Sequence, residues 1–376
     1  MEIWTGWYDK GLSWDAIYTD FSKAFDSVPH ERLLNKLHAY GIRGNLLKWI
    51  RDFLSDRRQR VVIGNEKSGW RPVTSGIPQG SVLGPILFTI FINDMPKAVD
   101  SLIKFFADDA KIFKAIESFD DINSIQQDIH NLLHWSIKWQ LPLNIAKCKV
   151  LHYGKDNPHH SYTMGNQPLL EDSIEKDVGV TFDLHLTFKD HIRSMVSKAN
   201  SRIGLIKRSF VSLNIENFKL LYKSLVRPIL EYCSSIWHPQ YKYLALEIEK
   251  VQRRATKLIS SLKDLDYSER LRRLNLTTLA YRRKRTDVIQ VFRLFKGFDK
   301  IDVSQFFKIN TSNRGHRFKI EKKSCKTNIR ANAFSHRVFE DWNNLPVEVV
   351  DSKTINAFKT GLEKHWKNDP LKYNFE

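Results

Sequence analysis

Two aspartates, Asp108 and Asp109, stand side by side in "SLIKFFADDAKIF" (101–113), inside a run otherwise suited to burial. A third, Asp20, ends the apolar stretch "AIYTD". Two ionised carboxylates ~4 Å apart repel by about 4 kcal/mol at an effective dielectric of roughly 20, so something must offset the cost. Turn chemistry is one answer, since Asp suits turns and a carboxylate at a hairpin tip can face water. A divalent cation is the other, because Mg²⁺ takes one or two carboxylates plus substrate phosphates. Two strands that end in carboxylates and lie together in one sheet could hold two such ions. That pair activates an attacking oxygen and stabilises a leaving one in phosphoryl transfer. Asp20 alone also reads as a helix N-cap or a strand-end turn residue. Asp26, six residues on, reads as helping the turn into "SVPHERLL".

Between the acids lies "SGIPQGSVLGPILF" (75–88), with Gly76, Gly80, Gly84, Pro78 and Pro85 ahead of a helical run. Glycine lets a backbone approach a ligand closely; an ordinary loop before a helix is the plainer alternative. Neither Walker-type nor G-x-G-x-x-G spacing is present, which excludes the familiar nucleotide loops. The His152, His159 and His160 group, at the polar "GKDNPHHS" turn, reads as solvated rather than as a metal set.

The elements that must position these residues follow from periodicity. "DAIYTDF" reads as a strand, and "SVPHERLLNKLHAYG" as a helix with Pro29 in its first turn and Gly41 at its stop. "GNLLKWIRDFLSD" is a second helix, and "RQRVVIG" with "SGWRPVTSG" a hairpin. "GPILFTIFINDMP" is an apolar helix ended by Pro96, and "LIKFFADDAKIFKA" is strand, tight turn, strand. Residues 120–140 form an amphipathic helix with Ile122, Ile125, Ile129, Leu132 and Leu133 on one face. "KCKVLHYG" and "KDVGVTFD" are further strands. After about residue 186 long helical patterns take over, from "FKDHIRSMVSKANSRIGLIKRSF" onward. The expected architecture is α+β over 1–185, followed by a mainly helical, basic region over 186–376.

Charge divides the same way. Residues 1–150 carry nineteen Lys and Arg against seventeen acids; the remainder carries 41 against 25. Such a basic second part points to a polyanionic partner, a solubilising surface being the alternative. Arg253, Arg254 and Lys257 of "QRRATK" can share one helix face, opposite Leu258, Ile259 and Leu262. "RLRR" (270–273) and "YRRKR" (281–285) follow in helical segments. Composition is globular, at 42% hydrophobic and 12% aromatic residues, and no apolar run approaches the ~20 residues of a membrane span. The beginning, "MEIWTGWYDKG", has no signal-peptide pattern. Cys148, Cys233 and Cys325 are far apart, which reads as reduced thiols of an intracellular protein with no zinc module in their spacing.

"YTDFSKAFDSVPHERLLNKL", "TSGIPQGSVLGPILFTIFINDMP" and "FFADDAKIF", in this order, resemble the reverse transcriptases of non-LTR (LINE-type) retrotransposons, most like the jockey-like group. The resemblance is specific over roughly 1–185 and continues loosely through "LVRPILEYCSSIWHPQ", "VQRRATKLI" and "FEDWNNLP". It implies a polymerase palm with partial fingers over 1–185 and a helical thumb or nucleic-acid-binding region over 186–376. It implies that Asp20 and Asp108 bind two Mg²⁺ ions, with Mn²⁺ as an alternative, and that Asp109 completes the acidic site. The backbone carbonyl of Phe21 would also face a metal, and Phe25 would be the aromatic gate beneath the sugar 2′ position. Gln79 and Gly80 would line the incoming nucleotide and template base. "LPLNIAKCKV" resembles the next block, making Lys147 the acid that protonates the leaving pyrophosphate. "EKDVGVTFD" resembles the primer-grip hairpin, with Val178 where the family often has Leu. Each residue has a plainer role beside it: Phe25 as core, Gln79 as a helix cap, Lys147 as a solvated strand residue.

The implied partners are an RNA template, a DNA primer and dNTPs, with an element-encoded RNA-binding protein as a further candidate and no membrane. The implied location is a cytoplasmic ribonucleoprotein, the nucleus, or both. The family's basic fingers segment precedes its first catalytic block, and nineteen residues precede Asp20 here, so the expectation is an N-terminally truncated element that binds metal but extends a primer weakly or not at all. RNA-directed DNA polymerization is the leading expectation. A catalytically silent, element-derived nucleic-acid-binding protein is the alternative, and a metal-dependent nuclease a third that has no need of the "SGIPQGS" block.

Overall fold

The computed structural model describes residues 1–310 and 315–375. The chain forms two compact units, Leu12–Val178 and a second made of Met1–Gly11 with Gly179–Glu376.

In the first unit, the central strand β1 (Ser13–Thr19) is buried along nearly its whole length. Strands β2 (Leu102–Phe106), β3 (Asp109–Ile116), β4 (Lys149–Tyr153) and β5 (Leu170–Glu171) complete a five-stranded sheet in the order β5-β4-β1-β3-β2. The pairs are antiparallel except for the two-residue edge β5, which runs parallel to β4. Helices α1 (His30–Ala39), α2 (Gly44–Leu54), α3 (Leu83–Ile92) and α4 (Phe119–Trp139) share one apolar cluster with Ile17, Ile112 and Val150 of the sheet. Pro29 lies just before α1 as its N-cap rather than inside its first turn. The periodicity of α4 is realised: Ile122, Ile125, Ile129 and Leu132 are buried and Leu133 is partly so. Ser118 and Asp121 make the capping box that starts it. The hairpin expected after α2 forms as two short ladders, Arg58–Gln59 with Arg71–Pro72 and Val62–Ile63 with Glu66–Lys67.

Lys36 is an exception to the polar-out pattern of α1. Its ammonium donates to the Phe91 carbonyl (2.5 Å) and to Asp94 Oδ1 (2.6 Å), and lies 3.6 Å from the Trp139 ring centroid. Burial pushes it down to about 8, against the opposing pull of Asp94. A lysine depressed on folding contributes stability at high pH that is lost as pH falls through its folded value. The unfolding free energy should therefore rise by about 1–2 kcal/mol between pH 8 and 9.5. Lys36→Met should flatten that rise in urea titrations; an unchanged slope would assign it to other groups.

In the second unit, the helix Glu2–Lys10 docks by its own side chains: Glu2 Oε1 pairs with Arg330 (2.5 Å), and Asp9 Oδ1 accepts the Lys326 and Thr327 amides at 2.8 Å each. Helices α5 (Lys189–Ser209), α6 (Lys242–Thr256), α7 (Tyr267–Leu274), α8 (Leu279–Phe295) and α9 (Ile355–His365) dominate the rest. The buried carboxyl of Glu249 on α6 accepts from the Leu279 amide and the Tyr267 hydroxyl, and burial pushes its pKa up. Among the described residues, no helix is long and apolar enough to cross a membrane.

Candidate active site

The register of the sheet sets the acids. Thr19 of β1 faces Ala110 of β3 and donates its hydroxyl to the Ala110 carbonyl (3.1 Å). The next residue on one strand, Asp20, and the preceding one on the other, Asp109, therefore come side by side. β2 and β3 are joined by the two residues Ala107 and Asp108, with Phe106 opposite Asp109. Ala107 takes a positive φ of 52°, the twist a two-residue hairpin turn needs but one that favours glycine. Asp108 thus sits in the turn and Asp109 opens the strand.

The segment after α4 is laced to the end of β1. The Asn144 amide donates to the Asp20 carbonyl (2.8 Å) and the Ser22 amide to the Pro142 carbonyl (2.8 Å), with Phe21 bridged to Leu143. This lacing buries the Phe21 ring and brings Lys147 Nζ to 3.3 Å from Asp20 Oδ2. Asp20, Asp109 and Lys147 line one cavity of about 310 Å³, together with Lys149, Glu175 and Asp177.

Electrostatics separate these acids into two groups. Asp177 pairs with Lys111, and Glu175 with Lys149 at 3.1 Å. Asp108 and Asp109 have no ion-pair partner among the described residues. Asp20 Oδ2 is buried and makes no hydrogen bond, leaving the Lys147 ammonium as its compensation. Burial raises the Asp109 carboxyl above the usual range, and the negative charges of Asp108, Asp177, Asp20 and Glu175 add to the effect. A buried carboxylate oxygen held only by the Lys147 ion pair, beside mutually repelling acids, is a donor set suited to hard divalent cations.

Phe25 and Gln79 belong to a second constellation. The "SGIPQG" loop is stitched to residues 25–29: the Gly76 amide donates to the Val28 carbonyl and the Ile77 amide to the Phe25 carbonyl, both at 2.8 Å. Gln79 Nε2 donates to Asp26 Oδ1 (2.9 Å), so Asp26 does more than open a turn. The Phe25 ring is half-buried and stacks on Phe88 at 4.6 Å, which makes it part of the apolar cluster. Gly80 is exposed with φ +82° and open space where a Cβ would go. Arg57 donates to the Gly76 carbonyl (2.7 Å), and burial lowers its pKa. Arg57, Arg58, Asp26 and Gln79 line a cavity of about 610 Å³. Arg57 joins the end of α2 to the "SGIPQG" loop, donating to the carbonyls of Leu54 (3.1 Å) and Gly76, and the ladder of Arg58–Gln59 with Arg71–Pro72 holds Arg58 nearby.

The residues Asp177, Glu175, Lys111 and Lys149 were not singled out by sequence. The charged tip "EKDVG" is the one signal that could have found the first two.

A match to the reverse transcriptase (RNA-dependent DNA polymerase) family model spans residues 8–248. The chain belongs to the reverse transcriptase family. It is similar to the RNA-directed DNA polymerase from mobile element jockey of Drosophila funebris, 30% identical over 235 residues, covering 58% of this chain and 25% of that protein. The jockey protein of Drosophila melanogaster is 27% identical over 258 residues, 65% of this chain and 28% of its own length. The chain thus spans about a quarter of the length of these relatives. Among solved structures, telomerase from Candida tropicalis in complex with a fragment of telomeric RNA is a loose likeness: TM-score 0.42, 11% identity, 98% of this chain and 50% of that one. Reverse transcriptases as a family use divalent metal ions and act on a nucleic-acid template and primer.

In the second unit, the three cations of "QRRATK" meet different surroundings. Arg253 packs against the Tyr267 ring at 4.8 Å, Arg254 donates to Asn200 (2.9 Å), and Lys257 lies exposed just past the end of α6. On α8 the "YRRKR" cations turn inward: Arg282 pairs with Glu231, Lys284 with Asp369 (2.8 Å) and Arg285 with Glu363 (2.6 Å), while Arg283 is buried. The charge read from "YRRKR" as a phosphate-binding run is therefore largely neutralised within the unit.

Proposed function

We propose that this chain is the polymerase core of a mobile element's RNA-directed DNA polymerase, transferring a nucleotide from dNTP to a primer 3′-hydroxyl on an RNA template. The observation that carries the reading is the buried Asp20 oxygen, ion-paired to Lys147 but without a hydrogen bond, beside Asp109, at one cavity, in a chain of this family. Asp20, Asp108 and Asp109 would hold two Mg²⁺ ions, with Mn²⁺ as an alternative. When bound, the ions would activate the attacking 3′-oxygen and stabilise the departing pyrophosphate. Lys147, poised at Asp20, would give the pyrophosphate its proton. Gln79, tethered to Asp26, and Gly80 would line the incoming nucleotide and template base, and the carbonyl of Phe21 would face a metal. In the second unit, Arg254 and Lys257 are the exposed cations suited to backbone phosphates, and Arg253 supports them from Tyr267. The palm with partial fingers, expected over 1–185, is the Leu12–Val178 unit in this reading, and the thumb-like nucleic-acid-binding region, expected over 186–376, is the unit of Met1–Gly11 with Gly179–Glu376. A cytoplasmic ribonucleoprotein or nuclear location, and an element-encoded RNA-binding partner, belong to the same reading.

Primer extension on poly(rA)/oligo(dT) with Mg²⁺ or Mn²⁺ tests it. Weak extension is expected; its complete absence with both ions would leave the silent nucleic-acid-binding protein as the surviving reading. Phe25 sharpens the test. A ring fixed by stacking on Phe88 cannot swing away from a 2′-hydroxyl. Phe25→Val should therefore raise rNTP incorporation relative to dNTP by about tenfold or more, at ~1.4 kcal/mol per factor of ten. Unchanged discrimination would return Phe25 to a packing role.

A further inference from the structure

Roughly 17 Å along β1 from Asp20, at about 3.4 Å per residue, the sheet carries a second cluster of ligating side chains. The polar "GKDNPHHS" turn suggests a solvated His152; strand pairing instead buries it opposite Asp15. His152 Nδ1 is 2.7 Å from Asp15 Oδ1. The Asp15 carboxyl is fully buried and also accepts from Asn157 Nδ2 (2.7 Å) and the Tyr162 hydroxyl (2.6 Å). Asn157 in turn accepts the His159 amide (2.9 Å) and so fixes the loop that carries the second imidazole. The His159 ring lies 4.9 Å from that of His152, and its Nδ1 is 2.7 Å from Glu171 Oε1 on β5. One ligand atom from each of His152, His159 and Glu171 falls within 4.8 Å of the others.

We propose that His152, His159 and Glu171 bind a first-row transition metal ion, Zn²⁺ by its ligand chemistry. Two imidazoles and one carboxylate are a donor set that zinc takes and that Mg²⁺ and Ca²⁺, which prefer all-oxygen shells, do not. Bonds of about 2.0–2.2 Å put tetrahedral ligand atoms roughly 3.4 Å apart, so the widest separation, up to 4.8 Å, must close by about 1.4 Å while the 2.7 Å His159–Glu171 contact opens. It can, because the side chains of His159 and Glu171 are half exposed at 52% and 54%. Asp15 supplies what a ligating histidine needs behind it: a carboxylate that accepts a hydrogen bond from Nδ1–H, fixes the tautomer and leaves Nε2 for the metal. The ion would clip the 157–171 segment to the centre of the sheet and stabilise the Leu12–Val178 unit. None of this depends on the polymerase reading.

The test is a titration of the metal-free full chain with Co²⁺ in excess Mg²⁺, read by the visible d–d bands of tetrahedral Co²⁺, followed by displacement with Zn²⁺. One equivalent is expected, and at a hundredfold excess over Kd the melting temperature should rise by roughly 5–10 °C. His159→Gln and Glu171→Gln, at exposed side chains, should keep the fold, weaken Zn²⁺ binding at least about tenfold and cut the thermal shift at the same Zn²⁺ concentration by about half or more. Absence of Zn²⁺ uptake by the unsubstituted chain would overturn the proposal. So would uptake that survives in both variants, which would assign the metal to thiols such as Cys233 and Cys325.

Discussion

Gly76→Ala should destabilise the Leu12–Val178 unit by about 3 kcal/mol or more, measured by the shift of its urea midpoint. Gly76 has φ +87°, and a Cβ there would lie 2.7 Å from both Cα and the carbonyl oxygen of Asp26. The left-handed backbone alone costs an L-residue roughly 1–2 kcal/mol. The overlap adds to it because the atoms met are backbone, held by the Gly76–Val28 and Ile77–Phe25 hydrogen bonds on either side. Relief would require breaking those bonds or the Arg57 and His30 contacts to the Gly76 carbonyl. Gly80 is the internal control: its φ is +82° but its Cβ direction is open, so Gly80→Ala should cost about 1 kcal/mol. Equal midpoints for the two variants would show that the close approach of the two loops is not what fixes "SGIPQG". A further consequence is local: displacement of this loop moves Gln79 off Asp26.

These contrasts show what local sequence could carry. The glycines of "SGIPQGS" were legible as a place where backbones meet, but not which glycine meets which backbone, because residues 26 and 76 are fifty apart. β1 and the β2–β3 hairpin were legible because apolar runs end in acids, and pairing of their ends needs only one register. Lys36 was not: a lysine on an amphipathic helix reads as solvated, and its burial depends on Asp94, Phe91 and Trp139 arriving from two other segments. His152 was misread for the same reason, since its partner Asp15 lies 137 residues away. The inward turn of "YRRKR" follows from acids at 231, 363 and 369 that no window around α8 contains. Nor does local sequence give any sign that Met1–Gly11 joins the second unit, because the contacts of Glu2 and Asp9 are made to residues between 326 and 335.

The largest functional effect should come from the acids themselves. Asp20→Asn and Asp108→Asn should each reduce primer extension about a thousandfold or more, because the groups that hold charge at the reacting phosphate supply most of the catalysis in phosphoryl transfer. The same substitutions should leave the metal-free fold as stable as before, or more so. Asp109 is held above the usual carboxylate range by burial and by Asp108, Asp177, Asp20 and Glu175, so removing one neighbouring charge relieves repulsion. Asp177 and Glu175 are neutralised by Lys111 and Lys149 and cannot substitute for the lost ligand without breaking those pairs. Divalent cations provide the decisive contrast. Mn²⁺ or Mg²⁺ should raise the melting temperature of the unsubstituted chain by screening the cluster, and this rise should shrink or vanish in both variants. A variant that loses extension but keeps the full metal-induced rise would separate catalysis from ion binding and remove Asp20 and Asp108 as ligands. A variant that keeps extension would remove the acidic cavity as the site of chemistry altogether.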